Sequence, residues 1–387
     1  MEKSSLEREL DALLGESPED AKLRVSRQSS VRNDDALVLY GAGTLGQTVL
    51  KKLRRLGITP VAFADDTTEK QGLRIDGVPV MTPERAALEF GKQTVFIVTI
   101  LNPALSFLEA LRRLKALTDA RVASFLEIAW QYPDAFLPYY QFELPQNVLA
   151  KAANIRRAFD LWEDDESRRQ FLGHLRFRLF LDYRALPENS KDNYFPPELV
   201  ARLSDATTFV DCGAYDGDTI RHFLEHQQNS FREIFAFEPD EINCQKLRAY
   251  VSTLAVDLAN RIHIYNAGVG SRRQKMRFNP TGNTSAALDE LGSAQVSVLP
   301  IQEIVKGNRE ATYVKFDVEG AEWEALEGMR NLIELKDPLL AVSVYHRPDD
   351  LWQLPLYLKS LNPAYRLFLR TQGEDGMDVI CYALSSH

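Results

Sequence analysis

Two stretches of this chain share an order that few folds accommodate: a short apolar run, a glycine-bearing turn, then residues at helical spacing. The first reads ALVLY, GAGTLG and QTVLKKLRRLG from Ala36, and the second reads TTFVDCGAYDGDT with an amphipathic segment from Ile220. An apolar strand that turns directly into a helix is half of a βαβ unit, which requires a mostly parallel sheet with helices on both faces. The 387 residues exceed what one core usually encloses, so two α/β domains are expected.

The first pattern continues through PVAFADD, GLRIDGVPVM, the apolar run TVFIVTI at 94–100 and a helical stretch at 104–117, placing a domain at 35–130. Before it, residues 4–14 have helical spacing, and Gly15 to Asp35 is polar and serine-rich, so 1–34 reads as a leader and linker. Apolar and charged positions alternate at helical spacing over 146–186, which makes 131–194 a helical connector. A second domain, 195–387, then runs through EIFAFEP, RIHIYNAGVG, YVKFDVE, AEWEALEGMRNLI and LLAVSVY. It closes with YRLFLR and VICYALS, joined by QGEDGMD. That makes about seven strands, with a terminal antiparallel hairpin.

Charge narrows the function. Lys and Arg number 46 against 55 Asp and Glu, a net charge of −9, and no basic stripe offers itself to phosphates, so a nucleic-acid partner is disfavoured. Three cysteines without a CxxC pair read as neither a disulfide framework nor a zinc site. MEKSSLERELDALL lacks the apolar run of a secretory signal, and nothing approaches the roughly 20 apolar residues of a membrane span, so a cytoplasmic protein with no membrane partner is expected.

In the second pattern Gly213 and Gly217 permit close backbone approach where the strand bends into the helix. The amides there suit a carboxylate, and Asp211 suits an ammonium group; the amino-acid end of a methionine derivative carries both. Glu238 ends the next strand, 21 residues beyond Gly217, where an acid in a doubly wound sheet accepts from both ribose hydroxyls. Asp317 and Glu319 lie at the end of a later strand and His346 at the end of the one after, all facing the same crevice. His346 is the first choice for a general base because an unperturbed imidazole titrates near pH 6.5. Glu322 and Glu324 read as a solvated helix face. Lys315 shares a face with Asp317 and is expected to pair with it. The oxygen and imidazole donors of Asp317, Glu319 and His346 are chemically able to hold a divalent cation, but the reading adopted is metal-free.

The strings FVDCGAYDGDT, FAFEPD, NAGVG and VKFDVEGAEWEALEGM, in this order, resemble the FkbM family of class I methyltransferases over about 195–387. The resemblance implies two linked expectations: S-adenosyl-L-methionine as cofactor, and O-methylation of a small hydroxylated acceptor, a sugar, nucleotide sugar or glycosylated natural product. It implies cofactor contacts from Asp211, Gly213 and Gly217, a ribose contact from Glu238, and Asn266 near the adenine. Gln302 in VLPIQEIV stands where the family often has an acid, which argues against an acid-dependent role there. The acceptor pocket is expected from connector loops and the insert around Asn279 to Ser285.

Gly41, Gly43 and Gly46 fit GxGxxG between strand and helix, and Asp65 follows Gly46 by 19 residues at the end of the next strand, a Rossmann-like arrangement. With FADD and GVPV, the domain is similar to the small nucleotide-binding domain that precedes bacterial sugar acetyltransferases. That resemblance implies a nucleotide or nucleotide sugar as a second ligand. An NAD(P)- or nucleotide-sugar-dependent oxidoreductase or epimerase is the competing enzyme class, though no hydride-transfer acid or base follows the motif. A nonenzymatic nucleotide-sensing module is a third reading, and a homo-oligomer is compatible with all three.

Overall fold

Leu37 and Leu39 pack into one apolar cluster while Val38 and Tyr40 pack into another, so the strand β1 (Ala36–Tyr40) is covered on both faces. The computed structural model describes residues 3–27, 31–32, 35–90, 94–102, 105–279, 287–288, 294–305 and 312–385. The chain divides into two units: Met1–Ala153 with Arg169–Glu188 and Gly373–Met377, and Asn154–Arg168 with Asn189–Gln372 and Asp378–His387. The stretch expected as a connector, 131–194, is shared between them.

In the first unit β1 is followed by β2 (Ala62–Ala64), β3 (Arg74–Ile75), β4 (Val78–Met81), β5 (Thr94–Val98) and β6 (Arg121–Ser124), in the spatial order β3-β4-β2-β1-β5-β6. All neighbours are parallel except the edge pair β3 and β4. The leader differs from its expectation. Besides the helix Ser5–Leu13, closed by a Ser4–Glu7 capping box, residues Pro18–Arg27 form a second helix where a linker was expected. Ser17 caps it by accepting from the Asp20 amide, Glu19 and Asp20 stand in its first turn, and Arg24 and Arg27 stand in its last. Those charges complement the helix dipole, so polarity here signalled a helix with one buried position, Ala21.

The second unit holds β7 (Thr208–Cys212), β8 (Glu233–Phe237), β9 (Ile262–Tyr265), β14 (Tyr313–Phe316), β15 (Leu339–Ser343), β16 (Arg366–Thr371) and β17 (Val379–Leu384) in a seven-stranded sheet. Its order is β16-β17-β15-β14-β7-β8-β9, parallel apart from β17, which runs antiparallel to β15 and β16. The terminal hairpin is therefore as expected. From β7 the chain moves outward to β8 on one side and later to β14 on the other. The crevice at their carboxyl ends is thus a topological switch point, where ligands of open α/β sheets bind.

A second, smaller sheet, not expected from the sequence, is built from β10 (Gly268–Val269), β11 (Gln274–Asn279), β12 (Ala287–Leu288) and β13 (Ala294–Leu299) in the order β10-β13-β11-β12. RIHIYNAGVG, read as one run, splits at Asn266: β9 belongs to the large sheet and β10 to the small one. No helix among the described residues is long and apolar enough to cross a membrane.

Candidate active site

The turn after β7 is held by close contact as much as by hydrogen bonds. Gly213 has φ +84°, and a Cβ there would stand 1.9 Å from the Asp317 carbonyl oxygen, so only glycine fits. The Gly213 and Ala214 amides both donate to the Phe237 carbonyl at 3.0 Å, which binds the turn to the end of β8. Gly217, at φ +89°, then opens the helix Asp218–His226.

Glu238 stands across this turn. Its carboxylate accepts from the Tyr215 amide at 2.8 Å and from the Asp240 amide at 2.8 Å, and burial pushes its pKa up to about 7. Asn266 donates to the carbonyls of Glu238 (3.0 Å) and Pro239 (3.2 Å), so its amide closes the turn that carries Glu238.

Asp211 is not free to wait for a ligand. Its neighbour across the ladder is Lys315, whose Nζ lies 3.0 Å from Oδ1 with both side chains buried, and the same ammonium donates to the Gly213 carbonyl at 2.8 Å. The expected Lys315–Asp317 pair is corrected accordingly, because cross-strand register places Lys315 directly beside Asp211. Burial pushes Asp211 up to about 6 although Lys315 pulls the other way. Burial also opposes the charge on Lys315, but Asp211 and Asp317 outweigh it and hold the ammonium above its ordinary value. Oδ2 of Asp211 is buried without a hydrogen-bond partner among the described residues.

Residues 211–375, which carry the glycine turn, Glu238 and the strand ends at the crevice, match the family model of the methyltransferase FkbM domain. This segment is an FkbM-family methyltransferase domain. The chain is also similar in fold to the crystal structure of methyltransferase FkbM from Methylobacillus flagellatus KT, with 22% identity, 98% of each chain covered and a TM-score of 0.76. More distant likenesses include an rRNA methylase from Streptococcus thermophilus (13% identity, 49% of this chain and 92% of that one, TM-score 0.32). Another is precorrin-6y C5,15-methyltransferase from Geobacter metallireducens GS-15 (13%, 51% and 94%, TM-score 0.32). None of the curated proteins compared with the chain matches it.

The FkbM domain gathers its acids at the ends of β14 and β15. Asp317 accepts from the Tyr194 hydroxyl at 3.0 Å and the Ser343 hydroxyl at 2.9 Å. Burial opposes its charge, but Lys315, His346 and these donors prevail and hold its carboxyl below the usual range. His346 is nearly enclosed: Nδ1 lies 2.8 Å from Glu322 Oε1, and Nε2 lies 3.5 Å from Asp317 Oδ1 and 3.8 Å from Glu319 Oε1.

Two expectations change here. Burial works against an imidazolium, yet Glu322, Glu319 and Asp317 together push His346 up to about 10, so it already carries a proton at neutral pH and is not a base titrating near 6.5. Glu322 is 1% exposed rather than solvated. It opens the helix Glu322–Glu327, accepts from the Val318 amide at 3.0 Å and turns inward under His346. An acid two residues from Gly320 looked like surface because the loop that folds it inward is invisible to helical periodicity. Among the described residues no group of three or more His, Cys, Asp or Glu is arranged to hold a metal ion.

Beside this cluster the FkbM domain contains a cavity of ≈ 420 Å³. Val269, Met276 and Val298 of the small sheet form an apolar wall, and Glu319, Glu324 and Arg347 face it. Glu319 belongs both to this lining and to the carboxylates around His346, and it holds φ +50°, a left-handed conformation costly for a residue with a side chain. The insert from Asn279 to Ser285 lies outside the described residues beyond its first backbone position.

In the other unit Gly41, Gly43 and Gly46 form the turn after β1. A Cβ on Gly46 would meet the Gly41 carbonyl oxygen at 1.9 Å, whereas one on Gly43 would meet nothing within 4 Å. Asp65 accepts from the Ala42 amide (2.7 Å) and the Thr67 amide (2.8 Å) and pairs with Lys70 (3.0 Å), so its carboxylate braces its own loop. Sequence reasoning missed its neighbour Asp66, which accepts from the Tyr40 hydroxyl at 2.5 Å and pairs with Arg113.

Proposed function

We propose that this chain is an S-adenosylmethionine-dependent O-methyltransferase acting on a hydroxyl of a small molecule, a sugar, nucleotide sugar or glycosylated natural product. The observation that carries the reading is the adjacency of three features in one unit: the Gly213–Gly217 turn, the strand-end Glu238, and an acid cluster that opens through Glu319 into a partly apolar cavity. The apolar wall suits the carbon face of a sugar ring or an aglycone, and Glu319, Glu324 and Arg347 suit its hydroxyls.

The buried acceptor atom Oδ2 of Asp211 tests the fit for a cationic amino-acid end, and it fits: an ammonium donor would satisfy an oxygen otherwise without a partner. Asp211 would hold the ammonium of that end, and Glu238 would accept from the ribose hydroxyls. When bound, the sulfonium supplies an electrophilic methyl group and leaves as a neutral thioether. The protein's part is to align the acceptor oxygen, keep water out and take up the hydroxyl proton. For the first unit we propose a nucleotide or nucleotide sugar at the turn Gly41–Gly46, independent of the methyl-donor site.

Two measurements test the reading. Methyl incorporation from labelled S-adenosylmethionine, screened over nucleotide sugars and aryl glycosides, should find an acceptor; none in the panel, with nicotinamide reduction instead, would favour an oxidoreductase. Calorimetry should show S-adenosylhomocysteine binding, weakened by roughly 1.5–3 kcal/mol in Glu238→Ala because the lost acceptor is charged. Unchanged affinity would remove Glu238 from the ribose site.

A further inference from the structure

We propose that Glu319 is the base that takes the acceptor's hydroxyl proton and that Glu322, acting through His346, is its positioning residue. The proposal rests on the methyltransferase reading above, and its geometry is a chain of contacts. The Val318 amide fixes Glu322 Oε1 at 3.0 Å, Glu322 holds Nδ1 of His346 at 2.8 Å, and Nε2 on the far side of the ring reaches Glu319 Oε1 at 3.8 Å and Asp317 Oδ1 at 3.5 Å. Of these three carboxylates Glu319 is the one that lines the cavity; neither Glu322 nor Asp317 does.

The chemistry follows from this placement. As the acceptor oxygen becomes an ether its O–H bond breaks, the pair of that bond stays on oxygen, and the proton passes to a carboxylate oxygen of Glu319. An alcohol is a weak acid at the outset, but its proton becomes strongly acidic as the new O–C bond forms, so a carboxylate is a sufficient base. His346 carries a proton throughout and sets a positive charge 3.8 Å from the Glu319 carboxylate. The charged and titratable groups facing His346 come from four directions: Asp317 and Glu319 from the end of β14, Glu322 from the following helix, Asp350 from the helix Asp350–Leu361, and Asp378 from before β17. The Tyr345 ring packs on the imidazole at 4.1 Å. Burial opposes the charge, but Glu322, Glu319 and Asp317 keep the ring cationic to high pH, its pKa pushed up to about 10.

Imidazole ¹⁵N NMR of the full chain, with His346 assigned by His346→Gln, reads the positioning role without turnover. Wild-type His346 should titrate well above the ordinary histidine value, and Glu322→Gln should lower that midpoint by at least about one pH unit, the size expected when a charged neighbour is neutralised. In methyl transfer to the best acceptor of the panel, Glu319→Gln should lose about 10²- to 10⁴-fold in kcat. Glu322→Gln should lose less and shift the alkaline limb of its pH profile downward, with Glu322→Asp recovering part of the loss. S-adenosylhomocysteine affinity should stay within about twofold in all three, which separates this proposal from the cofactor reading. His346 titrating near 6.5 in the wild type, or unmoved by Glu322→Gln, would overturn the positioning role even if Glu322→Ala proved unfolded. Full turnover in Glu319→Gln would overturn the base. Absence of any methyl transfer by the wild type would instead sink the parent reading, and the base assignment with it.

Discussion

Lys315→Met isolates the buried charge pair beneath the glycine turn. In the native chain Lys315 Nζ sits 3.0 Å from Asp211 Oδ1, with the side chains 1% and 0% exposed. Removing one partner of such a pair costs about 3–5 kcal/mol, because the other group is left buried and must either hold an unpaired charge or take up a proton. Its pH dependence is the sharper signature. With Lys315 present, burial already raises the Asp211 carboxyl from 3.8 to about 6. A raised carboxyl pKa contributes stability that is complete below the unfolded value and is lost as pH rises through the folded one. Without the ammonium the folded pKa rises further, so above about pH 6 the variant's native state keeps a proton that its unfolded state has released. Stability then falls by up to about 1.4 kcal/mol per pH unit beyond the wild type until pH reaches the variant's own raised pKa. Urea unfolding at intervals across that range measures the excess, and other titrating groups are common to both proteins and cancel. Asp211→Asn combined with Lys315→Met should abolish the excess slope. Parallel stability curves for Lys315→Met and wild type would refute the argument.

Three further outcomes rest on the glycine turns and on Glu238. Gly213→Ala should cost at least the ~1–2 kcal/mol of a left-handed residue plus the displacement of the Asp317 carbonyl, and should abolish S-adenosylhomocysteine binding. Gly43→Ala, with open space around its Cβ, should change the melting temperature little, which thermal unfolding of both variants checks. If Glu238 holds the ribose, S-adenosylhomocysteine affinity should rise as pH increases through about 7, because the carboxyl would accept two hydroxyl donors only when ionised. Glu238→Gln should flatten that dependence, and calorimetry at three pH values across the range reads it.

What the sequence by itself determined was whatever depends on neighbours along the chain. The apolar run, turn and helix after Ala36 and Thr208 placed two α/β sheets. The glycine at 213 announced a bend that a side chain would block, the acid at the end of FAFEP marked the edge of the crevice, and alternation in YRLFLR and VICYALS implied the hairpin. The local caps and charges of Pro18–Arg27 were equally written there, though serine-rich polarity hid them. Tertiary structure alone decided the rest, because charge states and partners depend on distances between strands remote in sequence. Register put Lys315 beside Asp211 instead of Asp317. A left-handed Glu319 and the Gly320 turn folded Glu322 inward, against a helical pattern that pointed it to water. Three carboxylates converging from separate positions on His346 made a cation of an imidazole that, taken alone, would titrate near neutrality.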